Sequence, residues 1–270
     1  ASGGRRGFAQ SVFQVGGNLG GSFGPLLMAL LVAPYGRHNI AYFAIVAFVA
    51  ILVMIPVCRW YKAYLRRVKW RPANAVRHAP MPLPHGRTFF AIAILLTLIF
   101  SKYIYMASLS SYYTFYLMHK FGVSVQQSQI FLFVFLLATA VGTLMGGPIG
   151  DRIGRKYVIW MSILGTAPFS ILMPHVSLAW TVVLSFCVGF MLSSAFPAIL
   201  LYAQELLPNK LGLISGLFFG FAFGIAGIAS AVLGDMADHY GIEAVYNICA
   251  YMPLLGLVTW FLPDLKKVPR

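Results

Sequence analysis

The sequence predicts an all-α membrane protein with eight transmembrane helices. Its mean hydropathy is +0.81, 60% of its residues are hydrophobic and only 10% are charged, whereas a soluble domain carries about 25% charged residues. So few charges cannot cover the water-facing surface of a chain of 270 residues. Eight apolar stretches are also long enough to cross a bilayer as helices, which takes roughly 17–25 residues each.

The predicted spans follow one another through connections that are short, with one exception. The spans are Phe8–Val32, Ile40–Val57, Phe89–Met118, Ile130–Gly147, Tyr157–Pro174, Leu178–Leu201, Leu211–Leu233 and Val245–Leu262. The exception is the connection at residues 58–87, which carries eight Lys and Arg and no acid. Its prolines and basic residues predict a linker on a membrane surface.

The basic residues are divided very unequally between the two sides of the membrane. With alternating spans, seventeen Lys and Arg fall on one side and only Arg37 and Lys120 on the other, while Lys102 lies inside a span. The positive-inside rule makes the first side cytoplasmic and places both ends of this chain there. The net charge of +14 therefore indicates membrane orientation, and we expect no nucleic-acid partner.

Chemistry-bearing residues do not form the clusters of an enzyme or a metal site. The cysteines Cys58, Cys187 and Cys249 lie in or beside apolar segments without a C-x-x-C pair, which favours free thiols. The six histidines fall in loops or near helix ends, with no nucleophile and base together. We expect no catalytic residues, no metal and no cofactor.

The most specific motif is "GGPIGDRIGRK", residues 146–156, between the fourth and fifth spans. Its glycines permit a tight turn and a close approach of helices. Asp151 can accept hydrogen bonds from the N-terminus of a neighbouring helix, and Arg152 and Arg155 can pair with a carboxylate such as Glu205. A positive-inside turn with a few glycines is the alternative interpretation.

This motif resembles the cytoplasmic-loop motif of the major facilitator superfamily, and "ELLPNKLG" from Glu205 resembles the acid-and-proline signal that follows later in each half. The resemblance implies that the motif opens and closes the cytoplasmic side during alternating access, which also argues against a channel. The gating residues that it implies are Gly147, Gly150, Asp151, Arg152, Gly154, Arg155, Lys156 and Glu205.

The resemblance also implies a domain organisation. Residues 1–57 correspond to the last two helices of an N-terminal half, residues 58–87 to the linker, and residues 88–270 to a complete six-helix C-terminal half with a short tail. The eight spans are then helices 5–12 of a twelve-helix bundle, and we expect about four helices to precede Ala1.

Glycines recur at helical spacing in two spans. Gly20, Gly24 and Pro25 form G-x-x-x-G-P, which resembles the antiporter motif of the family's fifth helix, although ordinary small-residue packing is the alternative. The run Gly216, Gly220 and Gly224 predicts close helix packing alone.

Candidate cavity residues come from two spans that the resemblance places around the centre and from a ladder of polar residues in the first span. Lys102 lies next to a stripe at helical spacing formed by Ser101, Tyr105, Ser108 and Tyr112. Ser193, Ser194, Gln14 and Asn18 add polar side chains in two other spans. Helix-to-helix packing remains the alternative for the stripe and for both serines, and interhelical bonding for Gln14 and Asn18.

Lys102 has three interpretations, because a charge in mid-membrane is costly unless it is paired or functional. It binds an anionic substrate, pairs structurally with a carboxylate, or titrates during coupling. No acid of this chain lies at comparable depth.

Segments such as "FAQSVFQVGGN" and "IFSKYIYMAS" are similar to bacterial drug efflux members of the superfamily. This similarity implies a monomeric, multi-pass inner-membrane protein that exports a small anionic phosphonate antibiotic in exchange for protons. Uptake of a metabolite or a sugar by the same fold is the alternative. The implied partners are this anion, protons and the lipid bilayer.

Overall fold

The computed structural model describes residues 6–36, 43–69 and 84–263. Within these ranges eight helices are long and apolar enough to cross a membrane, which confirms the predicted architecture. We label them α1 (Arg6–Leu27), α2 (Phe43–Lys69), α3 (His85–Phe121), α4 (Val125–Ile153), α5 (Arg155–Ile163), α6 (Leu178–Leu206), α7 (Leu211–Tyr240) and α8 (Ile242–Cys249).

Three spans continue beyond these helices through π-helical, 3-10 or short α-helical segments. After Pro25, α1 passes into a π-helical segment, Met28–Val32, and a short α-helix, Ala33–Tyr35. The α5 span reaches His175 through Leu164–Thr166, Ala167–Leu172 and Met173–His175. The α8 span ends in a 3-10 helix, Met252–Phe261. Only these continuations give α5 and α8 the length of a membrane span.

The helices are longer than the apolar stretches that predict them. For example, α4 extends beyond the predicted span Ile130–Gly147 at both ends, and α2 runs to Lys69 instead of ending at Val57. Hydropathy marks only the apolar part of a helix, whereas Arg and Lys continue helical hydrogen bonding well. The predicted linker therefore begins and ends with helical residues. Its residues 70–83, the predicted span start at Ile40 and the tail after Pro263 lie outside the described ranges.

Two of the connections depend on glycine. Gly122 ends α3 with φ +63°, and Gly154 separates α4 from α5 with φ +118°. Residues with a Cβ rarely adopt these angles. Glycine therefore allows a connection of three residues after α3 and of one residue after α4. Beyond Gly122, Ser124 and Gln127 form a capping box that begins α4.

The helices pack around α4, which has α1 along one side and α6 along another, while α3 packs with α7 and α8. Small residues allow the close contacts: a Cβ on Gly142 would meet the backbone oxygen of Phe190 in α6, and one on Gly189 would come within 2.8 Å of the Phe135 oxygen. By contrast, the described side chains of α2 are exposed throughout. The bundle core is therefore formed by the later six spans, with α1 attached through α4.

The prediction that Gly216, Gly220 and Gly224 mediate close packing is wrong for the described residues. In the part of the chain that the structure describes, no heavy atom lies within 4 Å of a Cβ built on any of the three. Glycine spacing identifies a face of a helix but does not show whether a neighbour covers that face.

We expect Gly142→Ala to lower the free energy of unfolding by about 1–3 kcal/mol, because the added methyl overlaps the backbone of Phe190. Thermal unfolding of the purified protein in detergent measures the change. Gly216→Ala is the matched control, since its methyl enters open space and alanine favours the helix by about 0.5–1 kcal/mol. Equal melting temperatures for the two variants would contradict the packing described above.

Candidate functional site

The motif at residues 146–156 is mainly helical. Its first part extends α4 as far as Ile153, the turn is Gly154 alone, and α5 starts at Arg155. The Gly154 N–H donates to the oxygen of Gly150 at 3.1 Å, which closes the last turn of α4. The sequence predicts a joining loop here, but the structure needs only one residue because glycine can adopt the positive φ.

Glycines bring the start of α1 into contact with α4 beside this turn. A Cβ on Gly147 would overlap the Gly7 carbonyl and the Ser11 hydroxyl, and a Cβ on Gly7 would lie 2.6 Å from Asp151 Oδ1. Because neither residue has a side chain, the two backbones approach closely. The predicted role of Gly147 in helix approach has this structural basis.

Asp151 uses the close approach to bind the first turn of α1. Its Oδ1 accepts a hydrogen bond from the Gly7 N–H at 3.2 Å, and its Oδ2 accepts one from the Phe8 N–H at 3.3 Å. Initial N–H groups of a helix lack partners within that helix, and its N-terminus carries partial positive charge. The carboxylate of α4 therefore caps α1 and joins the two helices electrostatically.

Arg155 extends this contact to α6. Its guanidinium pairs with Glu205, donates to the Leu201 oxygen at 3.4 Å and lies 3.8 Å from Asp151 Oδ1. The Arg155 side chain is 13% exposed and that of Glu205 is 40% exposed, so solvent screens the pair only partly. Asp151, Arg155 and Glu205 form a charged network that links α1, α4, α5 and α6.

Lys156 and Tyr202 hold the end of the last span beside this network. The Lys156 ammonium donates to the oxygen of Leu262 and, at 3.4 Å, to that of Trp260, and the Tyr202 hydroxyl donates to Pro263. Backbone oxygens at a helix end lack partners within the helix and attract cations. Lys156 thus caps the end of the α8 span, a contact that the sequence does not reveal.

Lys102 lies midway along α3 and is only 4% exposed. Its Nζ is 5.3 Å from the ring centroid of Tyr103 and 5.2 Å from that of Phe196 in α6. Among the described residues, no carboxylate lies within ion-pair distance of it. Cation–π contacts stabilise by about 0.5–2 kcal/mol, whereas burying an ammonium costs several kcal/mol. The two rings alone do not offset the burial of this charge.

The polar stripe beside Lys102 is occupied by contacts between helices. Ser101 donates to the Met252 backbone oxygen at 2.5 Å, and Tyr112 donates to the Ser230 backbone oxygen at 2.5 Å. The Ser108 hydroxyl donates to the Tyr105 oxygen within α3 at 2.8 Å, while the Ser108 backbone oxygen accepts from Tyr246 at 3.2 Å. Tyr105 is buried, and its hydroxyl has no hydrogen-bond partner among the described residues. Packing against α7 and α8, the alternative given above, accounts for the hydroxyls of Ser101 and Tyr112, while the Ser108 hydroxyl bonds within α3.

The polar residues predicted on other spans also contact neighbouring helices. Asn18 donates to Thr143 Oγ1 of α4 at 2.8 Å, which is the interhelical bond considered as its alternative. Ser194 contacts Ser162 of the α5 span. Ser193 is buried, and Gln14 Nε2 is buried without a partner among the described residues. None of these contacts brings the four residues to Lys102.

The glycines of the G-x-x-x-G-P motif in α1 have open surroundings. Within residues 6–36, 43–69 and 84–263, no heavy atom lies within 4 Å of a Cβ built on Gly20 or Gly24. Pro25 is inside α1, two residues before its end, and the π-helical segment follows directly. Close packing among the described helices therefore does not explain this motif.

Aromatic residues around Lys102 were missed in the sequence. Phe196 lies two residues from Ser194 on a span already selected, and Tyr103 is adjacent to Lys102, but neither has a polar pattern that draws attention. Phe219 and Phe223 on α7 continue the group, with Phe219 5.2 Å from Phe196 between ring centroids. Their four-residue spacing on a helix was the available signal.

Comparison with known proteins identifies relatives over nearly the whole chain. Residues 94–270 match the model of the Major Facilitator Superfamily. The chain is 60% identical to the fosmidomycin resistance protein of Escherichia coli (strain K12), covering 98% of the chain and 64% of that protein. It is 36% identical to an uncharacterized transporter of the Major Facilitator Superfamily type from Bacillus subtilis (strain 168), covering 99% of the chain and 66% of that protein.

A more distant similarity covers about half of the chain. The gallate transporter of Pseudomonas putida is 29% identical over 134 residues, which are 48% of this chain and 30% of that protein. The chain thus spans less than two thirds of the length of any of these three relatives.

We expect a double-mutant cycle of Arg155→Gln and Glu205→Gln to give a coupling energy of about 1 kcal/mol, since the pair is partly buried. Thermal unfolding of the single and double variants measures it. The matched control pairs Arg155→Gln with Asp235→Asn. Asp235 contacts His239 within α7 instead, so the effects of these two substitutions on the free energy of unfolding should add. Additive effects for Arg155 and Glu205 would contradict the network.

Proposed function

Because the chain belongs to the Major Facilitator Superfamily, we propose that it exports a small anionic phosphonate such as fosmidomycin by proton-coupled antiport. The relative named for fosmidomycin resistance is 60% identical to it, which supports this class of substrate. Since the chain spans 64% of that relative, the activity is proposed for the protein that carries this chain.

The observation that carries the proposal is the environment of Lys102. Its ammonium is buried in mid-helix against two aromatic rings, without a described carboxylate beside it. An anionic head group would supply the missing opposite charge in a site of low dielectric, where the attraction is strong. We assign Lys102 as the anchor of the substrate's anionic group.

The charged network at the α4–α5 turn supports alternating access. It ties the N-terminus of α1 to α4 through Asp151 and continues to α6 through Arg155 and Glu205. These contacts hold the helix ends together on the side that carries most of the basic residues. We propose that this side is cytoplasmic and that the network closes it in one state and releases it in another.

The proton-coupling residue is not assigned to a carboxylate of this chain. Asp151 and Glu205 belong to the network, and Asp235 and Glu243 lie at the opposite helix ends. We place the protein in the bacterial inner membrane, where a proton gradient drives export, with both ends of this chain in the cytoplasm.

A second candidate is the uptake of an organic acid metabolite. The similarity to a gallate transporter over 48% of the chain favours it, and a buried lysine suits a carboxylate as well as a phosphonate. The direction of transport separates the two candidates.

We expect everted membrane vesicles that contain the protein to accumulate labelled fosmidomycin when their interior is acidic, and a protonophore to abolish the accumulation. Lys102→Met should reduce this uptake at least tenfold while leaving expression unchanged, because the anionic group loses its partner. Lys210→Met is the matched control, since Lys210 is exposed at the start of α7.

Normal fosmidomycin uptake by the Lys102→Met variant would refute the anchor. Accumulation of an organic acid in right-side-out vesicles, without export of fosmidomycin, would favour the second candidate.

A further inference from the structure

Four aromatic rings from three helices form a continuous group beside Lys102, which we call the aromatic shelf: Tyr103 of α3, Phe196 of α6, and Phe219 and Phe223 of α7. The ring centroids of Tyr103 are 5.6 Å from Phe196 and 6.5 Å from Phe223. The rings of Phe219 and Phe223 are nearly parallel, at 16° and 6.3 Å. The shelf therefore runs from the buried ammonium towards α7.

One end of the shelf is closed and the other is open. Phe196, which covers the ammonium, is 4% exposed, whereas Phe223 is 67% exposed. Next to Phe223, no heavy atom of the described residues lies within 4 Å of a Cβ built on Gly220 or Gly224. A flat apolar group has room to lie against Phe223 beside these glycines.

We propose that the aromatic shelf binds the apolar, preferably aromatic, body of an organic anion whose head group pairs with Lys102. This inference rests on the proposed function, since it assigns the second part of the same site and adds a substrate class to it. The Tyr103 ring contacts both ends, at 5.3 Å from Lys102 Nζ and 6.5 Å from the Phe223 centroid. The head and the body are thus separated by about the width of one ring.

The chemistry of the shelf favours aromatic bodies over purely polar ones. Aromatic rings stack or meet edge-to-face favourably, and burying a ring removes a large apolar area from water. The shelf offers a ring surface but no charged group besides Lys102 among the described contacts. Phe196, Phe219 and Phe223 are then specificity-determining residues, while Lys102 binds every substrate through its head group.

The test compares two phosphonates that differ by one phenyl ring: 3-phenylpropylphosphonate and propylphosphonate. Isothermal titration calorimetry of the purified protein in lipid nanodiscs gives both affinities, and empty nanodiscs correct for partition into lipid. We expect the phenyl compound to bind about tenfold more tightly. Phe223→Ala should reduce this ratio to below about threefold.

Two further variants serve as the matched control and as the test of head-group binding. Phe115→Ala removes another exposed ring of α3, 57% exposed and outside the shelf, and should keep the tenfold ratio. Lys102→Met should weaken both compounds at least tenfold, because they share the phosphonate.

A ratio near one in the unaltered protein would overturn the inference. So would a ratio that Phe223→Ala leaves unchanged, as expected if lipid covers this ring. Equal weakening of both compounds by Phe223→Ala, together with a lower melting temperature, would show that the ring packs against protein and would also overturn it.

The proposed function fails independently of this result. Binding is measured without a proton gradient, so the two experiments can disagree. If the vesicles show no transport but the ratio of the two affinities still depends on Phe223, export is refuted and the aromatic shelf is kept. The reverse result would refute the shelf alone.

Discussion

The close approach of α1 to α4 is the contact on which the arrangement of the helices depends. Gly7 and Gly147 lack side chains at the crossing, so their backbones meet and Asp151 can reach the first N–H groups of α1. A side chain at either position would separate the helices and break the hydrogen bonds between those N–H groups and the Asp151 carboxylate. Since α1 packs mainly along α4, this crossing determines how α1 attaches to the later six spans.

The partly buried Arg155 and the buried Lys102 are stabilised in opposite ways. Arg155 has Asp151 and Glu205 beside it and forms a closed network at the membrane surface. Lys102 has aromatic rings beside it in the middle of a span. A charge with its partners in place suits a contact that holds helices together, whereas a charge that lacks an opposite partner suits a site that receives one. This difference separates the gate from the substrate site in the proposed mechanism.

The sequence predicts the eight spans correctly because the thickness of the bilayer requires about 20 apolar residues in each span, whatever its tertiary contacts. It also identifies the kind of partner that Asp151 finds, a helix N-terminus, but Gly7 is 144 residues away. Only the packing of α1 on α4 brings that partner to it.

Site residues are harder to predict because periodicity defines a face of a helix and not the neighbour of that face. Ser101, Ser108 and Tyr112 share a face as predicted. The hydroxyls of Ser101 and Tyr112 donate to backbone oxygens of other helices, and that of Ser108 donates to the Tyr105 oxygen within α3. Gly216 has the spacing of a packing glycine without a described neighbour. Phe219 and Phe223 have a helical spacing of four residues, but Phe196 lies on another span, so the position of these rings beside Lys102 becomes visible only in three dimensions.

The most direct test is the distance between the ends of α1 and α4 that meet at Asp151. Spin labels at Val12 and Ile153, both exposed, report this distance by pulsed electron resonance after the native cysteines are replaced by alanine. The account predicts a short, narrow distance distribution that gains a longer component when Asp151→Asn removes the charge that caps α1. An unchanged distribution in that variant would contradict the claim that Asp151 holds the two helices closed.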